Sequence, residues 1–393
     1  MTMGNNTTVT QRRRPAKIET TDPALAAVLE QSLPLPGEEK QAVHAMPHVS
    51  RQAIVDALSV LPTFPEREKI TQEVGDVFGF DLGVEKDHNQ RPVIDPNTGK
   101  PKKKVRMVTG YKDRTPWVPA IDLAYEFPED ETKMILLGMT LKDNVLVHGH
   151  TGTGKTSLIN QIAARLNYQV VRINFDAGIT RAELAGEWIA MNGTMMYLWG
   201  QLPYALRMPG TIIILDEWDA MSPDCGMVLQ RPLEKDDRKL VLLELGGEVI
   251  EMHEDNMIVA TANTRGLGDD TALYSSGTRV QNYAQLNRFG MTLQLSYLPP
   301  EKEKAMLRKR FPDLKEKECE YLVKAIGKVR KAYESNEISV PLSPRDLINW
   351  AQKFLYLGDP MRAAKVCFLN RMPPEDAATI EQVIQRSFAP GTT

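Results

Sequence analysis

At 393 residues the chain is long enough for two or three folded units with a large core. Hydrophobic residues at 42% and charged ones at 25% match the ordinary globular average, which excludes a wholly disordered, collagenous or coiled-coil chain, and no apolar run approaches the ~18 residues of a membrane span. The net charge of −3 is unevenly spread: residues 1–120 carry 17 basic and 15 acidic side chains, 121–298 carry 14 and 23, and 299–393 carry 17 and 13, so the acidic middle is ill suited to gripping a nucleic-acid backbone.

Residues 1–50 are rich in Thr, Pro and charge, with one short helix expected over Pro23–Gln31; they read as a flexible arm. Arg12, Arg13 and Arg14 are followed by no apolar stretch, so a secretory signal is not expected. Residues 51–119 are expected to form a small N-terminal helical module, from the spacing of Ile54, Val55, Leu58 and Leu61 and a second amphipathic stretch ending at Phe80. Its second half holds the turn Asp95-Pro96-Asn97-Thr98-Gly99 and the basic run Lys100, Lys102, Lys103, Lys104 and Arg106. That run reads as a solvated hairpin or loop, with a nuclear import signal or a nucleic-acid patch as the alternatives.

From Ala120 the pattern becomes regular. Apolar runs at 144–148, 169–174, 211–215, 257–261 and 291–297 alternate with helical periodicity, which predicts an α/β parallel sheet over 120–298. After Leu298-Pro299-Pro300 the strands stop, and 299–393 reads as an all-helical domain. Cys225, Cys319 and Cys367 lack the spacing of a metal site and fit a reducing cytoplasm.

The chemistry concentrates in the α/β region. Gly149-His150-Thr151-Gly152-Thr153-Gly154-Lys155-Thr156 fits the phosphate-loop pattern G-x-x-x-x-G-K-[ST], with a strand before it and a helix after it. Glycines let backbone N–H groups turn inward on phosphates, Lys155 is expected to reach the β and γ phosphates of ATP, and Thr156 to ligate Mg²⁺. His148 and His150 flank the loop without other ligand types nearby, so packing is expected of them rather than metal binding. Thr211–Leu215 is a buried strand ending in Asp216 and Glu217, one carboxylate for Mg²⁺ and the other to orient and deprotonate water. A further apolar strand ends at Asn263, an amide suited to the lytic water or the γ phosphate. Arg288 follows at the end of a helix, and Arg345 opens another in Leu342-Ser343-Pro344-Arg345. Pro232, inside the helix expected after Asp216, should shorten or kink it.

This order of phosphate loop, Asp-Glu strand, Asn strand, helix-end arginine and Ser-Pro-Arg lid resembles the AAA+ ATPases. Two insertions, Thr180–Trp188 with Gly200–Tyr204 and the hairpin Lys239–Met252 with Gly246-Gly247 at its tip, look like the helix-2 insert and pre-sensor hairpin of the MoxR-like branch. Gln161–Asn167, Thr261–Asp269, Leu273-Tyr274, Leu342–Arg345 and Phe368–Asn370 are similar to the ATPase subunit of cobaltochelatase, the CobS-type family. The resemblance covers about residues 120–390.

It implies a P-loop NTPase fold with a helical lid, ATP and Mg²⁺ as ligands, and a homo-oligomeric ring, hexameric in the family. It also implies a protein partner, which for the MoxR-like chaperones usually bears an adhesion-type metal-binding domain. Lys155, Thr156, Asp216, Glu217 and Asn263 carry over as nucleotide and hydrolysis residues, Arg288 as a group acting on a neighbouring subunit's nucleotide, and Arg345 as its counterpart in the lid. The alternatives are a general MoxR-like chaperone ATPase, a nucleic-acid motor, supported only by the lysine run, and a non-hydrolysing scaffold.

Overall fold

A computed structural model of the chain describes residues 61–175, 178–191, 193–266, 268 and 277–388. The arm at 1–50, the apolar positions Ile54, Val55 and Leu58, and Leu267, Asp269, Leu273 and Tyr274 lie outside the described residues.

The described part of the segment expected to be helical is mostly not so. β1 (Lys69–Glu73) pairs antiparallel with β2 (Met107–Tyr111), and only the short α1 (Val74–Phe78) lies between them, ended by Gly79 at φ 72°. A strand closed by a partner far along the chain leaves little local periodicity, which is why the expectation failed. Val74, Phe78, Val108 and Tyr111 join the apolar cluster that includes Ile159 and Ile162 of the ATPase-type core, so this segment packs onto that core. Between α1 and β2 the chain makes an excursion closed by bridges at Val84–Lys103, Lys86–Pro92 and Ile94–Pro101, with the 95–99 turn at its end and the lysine run exposed.

The core follows. α2 (Glu129–Leu141) leads to β3 (Val145–His148), α3 (Lys155–Leu166) and β4 (Gln169–Asn174). Next come α4 (Arg181–Ala185), the hairpin β5 (Gly186–Met191) and β6 (Thr194–Trp199), and α5 (Gln201–Arg207). β7 (Thr211–Asp216) is followed by α6 (Pro223–Leu229), which stops three residues short of Pro232. The second hairpin, β8 (Lys239–Leu242) and β9 (Glu248–Glu251), precedes β10 (Met257–Ala262), α7 (Tyr283–Leu286) and β11 (Met291–Gln294).

Five of these strands form one parallel sheet in the order β11-β3-β10-β7-β4. The burial patterns explain the order. β3, β7 and β10 are buried at every position and occupy the middle, where helices cover both faces. β4 and β11 are partly exposed and lie at the edges. Alternate residues feed opposite faces: Ile213, Leu215, Ile258 and Ala260 enter one apolar cluster, while Ile212, Ile214 and Val259 enter the other with α3. The chain leaves β3 for the far edge, returns through β7 and β10, and crosses to β11. The crevice where these connections diverge lies at the carboxyl end of β3, the usual ligand position in such sheets.

The C-terminal region is all helical: α8 (Pro300–Arg310), α9 (Glu316–Glu334), α10 (Pro344–Leu357), α11 (Pro360–Cys367) and α12 (Pro374–Phe388), with its own core around Trp350, Phe368 and Ile380. Ser343 caps α10 in a capping box with Asp346, which fixes where Arg345 emerges.

Candidate functional site

The loop 149–154 runs from the buried end of β3 into α3. Gly154 caps α3 at φ 92° with no side-chain partner, so the orphan N–H groups of the first turn have no side-chain acceptor there. Gly149 and Gly152 are required by space as well as by conformation: a Cβ on Gly149 would lie 2.3 Å from the Leu295 carbonyl oxygen, and one on Gly152 2.3 Å from the Cβ of Ser343 in the lid. Thr153 closes the loop by donating its hydroxyl to the His150 carbonyl at 2.8 Å.

Lys155 is only 9% exposed. Its ammonium donates to the carbonyls of Gly149 (2.7 Å) and His150 (3.0 Å) and to Asn263 Oδ1 (3.0 Å). Burial pushes it down to about 8, against the opposing pull of Asp219, Asp216 and Glu217. Burial likewise lowers His148 and His150, and His150 packs edge-on against Tyr333 of the lid.

Asp216, at the end of β7, is buried. Its Oδ1 accepts from Thr156 Oγ1 at 3.1 Å and from Thr261 Oγ1 of β10, and its Oδ2 pairs with Arg172 of β4. Glu217 is the exposed next residue and adopts φ 54°, ψ 40°, a left-handed conformation uncommon for a glutamate, with its N–H directed at Thr261 Oγ1 (3.3 Å). Two residues on, Asp219 is fully buried. Its Oδ2 accepts from the N–H groups of Asn263 (3.0 Å) and Thr264 (2.8 Å) and from Thr264 Oγ1 (2.9 Å), which anchors the loop that presents Asn263.

The expected residues therefore converge. Thr151, Gly152, Gly154, Lys155, Thr156, Asp216, Glu217, Asn263 and Arg345 all line one cavity of about 210 Å³ at the strand ends. A second cavity of about 360 Å³ shares Gly152, Gly154 and Arg345 and runs between core and lid, lined by Thr153, Tyr125, Leu298, Met306 and Ile348. Arg288 lies elsewhere: just past α7, its Nε donates to Glu234 Oε1 (2.7 Å) and its Nη1 to the Ala284 carbonyl (2.9 Å). Sequence reasoning passed over Arg172, Asp219 and Thr261. The one available signal was the third carboxylate in Asp216-Glu217-Trp218-Asp219.

The two insertions also meet. Trp188 Nε1 donates to the Glu244 carbonyl (3.0 Å), and Arg181 pairs with the Glu244 carboxylate (3.0 Å), so the β5–β6 hairpin and the tip of β8–β9 form one joined feature.

This arrangement, a phosphate loop and an Asp-Glu strand on a five-stranded parallel sheet with a helical C-terminal region, defines an AAA+ P-loop nucleotide-binding fold. The family description "AAA domain (dynein-related subfamily)" matches residues 144–277. Aerobic cobaltochelatase subunit CobS of Sinorhizobium sp is 35% identical over 289 residues, 72% of this chain and 86% of that protein. Protein NorQ of Paracoccus denitrificans is 31% identical over 145 residues, 37% of this chain and 53% of that protein. A RuvB mutant structure from Thermotoga maritima shows 14% identity and a TM-score of 0.40, covering 66% of this chain and 70% of that one. The chain belongs to the AAA+ ATPases of the MoxR-like branch, in the family of the cobaltochelatase subunit CobS. Among the described residues no helix is long and apolar enough to cross a membrane.

Proposed function

We propose that the chain is the ATP-hydrolysing subunit of a homo-oligomeric ring, hexameric as its family resemblance implies, that drives a partner protein, and that the partner is the metal-inserting part of a cobaltochelatase. The observation that carries this reading is the convergence of Lys155, Thr156, Asp216, Glu217 and Asn263 on one cavity at the ends of β3, β7 and β10. The likeness to CobS over most of both chains supports the cobalt-linked part.

In this reading Lys155 and the first-turn N–H groups of α3 hold the β and γ phosphates, while the core–lid cavity takes the base against Tyr125, Met306 and Ile348. Thr156 and Asp216 offer hard oxygen donors, already joined at 3.1 Å, that fit Mg²⁺ and would hold it. Mg²⁺ there neutralises charge on the phosphates. Glu217 orients the attacking water and takes its proton, and Asn263, pinned by Asp219, helps place that water. Arg345 reaches the phosphates from the lid. Arg288, outside its own chain's cavity, acts on the nucleotide of the next subunit, where a guanidinium contributes about 10³–10⁵ in rate.

The joined hairpins transmit the cycle to the partner. The free thiols Cys225, Cys319 and Cys367 fit a cytoplasmic setting. Nucleic acid has no role in the proposal.

Mixing Lys155→Ala with Arg288→Ala subunits tests it. Rings that exchange subunits then contain junctions with an intact loop facing an intact arginine, so ATPase activity above that of either variant alone is expected. A mixture no better than its components counts against action between subunits, and equal ATP affinity of the wild type and Lys155→Ala refutes the nucleotide site.

A further inference from the structure

Arg172 on β4 has no part in the functions assigned above, yet its guanidinium lines the phosphate cavity and rests on Asp216 Oδ2. The other carboxylate oxygen is already engaged by two hydroxyls, those of Thr156 and Thr261. Asp216 is 4% exposed, so its charge needs a compensating cation close by. Arg172 supplies it from the edge strand of the sheet. Its own side chain is 53% exposed, so an outward rotation would cost little packing.

We propose that Arg172 is an internal counter-cation that Mg²⁺ must displace from Asp216, so that loading of magnesium-nucleotide is coupled to release of this arginine into solvent. Three features of the site carry it. Mg²⁺ and a guanidinium repel each other strongly at the separation that a shared carboxylate imposes. The hydroxyl of Thr156, the other expected magnesium ligand, is bonded to that same carboxylate, so the competition falls on the metal side of the site and not at its margin. Lys155, by contrast, is held by three oxygens deep in the loop, and of the cations that line the cavity it is Arg172 that pairs with Asp216. Arg172 is then a positioning residue, acting through Asp216. It keeps the carboxylate pointed into the cavity and sets how much magnesium is needed before nucleotide is bound productively. The inference rests on the magnesium-nucleotide reading of the cavity.

The test is ADP binding by the full-length protein, titrated with Mg²⁺ and repeated in EDTA. In Arg172→Gln the Mg²⁺ concentration at half-saturation should fall about fivefold, the size expected of a half-exposed ion pair, while ADP affinity in EDTA stays unchanged. Arg172→Lys, which keeps the charge, should stay close to wild type. An unchanged or raised half-saturation in Arg172→Gln overturns the inference, as does weaker ADP binding in EDTA, which would place the guanidinium on the phosphates. Should Arg172→Gln not fold, the wild type carries the same test: modification of Arg172 by phenylglyoxal, read by mass spectrometry, should be faster with Mg²⁺ and ADP than with ADP alone, and slower modification overturns it. If the wild type binds no ADP under either condition, the nucleotide-site reading fails and this inference with it. ADP binding whose magnesium dependence ignores residue 172 sinks this inference alone.

Discussion

In the phosphate cavity the charged groups are held from several sides: Lys155 by three oxygens, Asp219 by three donors, Asp216 by two hydroxyls and a guanidinium. On the two hairpins several large side chains stand outward instead, with Leu243 79%, Met195 59% and Trp188 47% exposed. The cavity is anchored on the ends of buried central strands, whereas the hairpins emerge between α4 and α5 and between β7 and β10, with inward residues such as Tyr197, Leu242 and Ile250 on the core and the rest turned to solvent. Preorganised dipoles and charges are what phosphate chemistry needs, because a group already in place costs nothing to reorganise during reaction. An exposed apolar feature joined through Glu244 has the makings of a contact surface for another protein.

On this contrast, damage to the cavity should cost stability and hydrolysis together, and damage to the hairpin tip should cost neither. The largest loss is expected from Asp219→Ala, which strands the N–H groups of Asn263 and Thr264: about 3 kcal/mol in denaturant unfolding, with slowed ATP turnover. A smaller loss is expected from Gly152→Ala. Its φ of 75° disfavours a Cβ by about 1–2 kcal/mol. The added carbon would also meet Ser343 Cβ at 2.3 Å and push the lid away, so nucleotide affinity should fall further than stability, as calorimetry of ADP binding would register. The smallest change is expected from deleting Gly246-Gly247. Unfolding should stay within about 0.5 kcal/mol of wild type and basal ATPase should hold, while stimulation by the partner is lost. Partner stimulation that survives the deletion breaks the contrast at its hairpin end.

The same contrast decides what could be read from sequence. The five core strands were legible because buried parallel strands read as unbroken apolar runs, and Ile212-Ile213-Ile214-Leu215 or Ile258-Val259-Ala260 leave little room for another reading. The phosphate loop, Asp216, Glu217 and Asn263 were legible because each sits at the end of such a run. Arg172 and Thr261 were not, since their roles exist only once β4 and β10 lie on either side of β7. Asp219 was hidden for a related reason: its partners Asn263 and Thr264 are 44 and 45 residues away. The strands β1 and β2 were missed because their pairing joins distant segments, and the one turn legible between them, at 95–99, closes the intervening excursion and not the β1–β2 pair.

The central claim is that this cavity hydrolyses ATP through Glu217, held exposed at the end of β7 in a conformation its backbone would not otherwise favour. Glu217→Gln tests it most directly, because the amide keeps the size of the side chain and leaves Asp216, Thr156 and Lys155 untouched. The measurement is steady-state ATP turnover alongside ADP affinity in the assembled protein. ADP affinity should equal wild type and turnover should fall about 10²–10⁴-fold, the usual share of a general base. Turnover close to wild type, with nucleotide still bound, would contradict it.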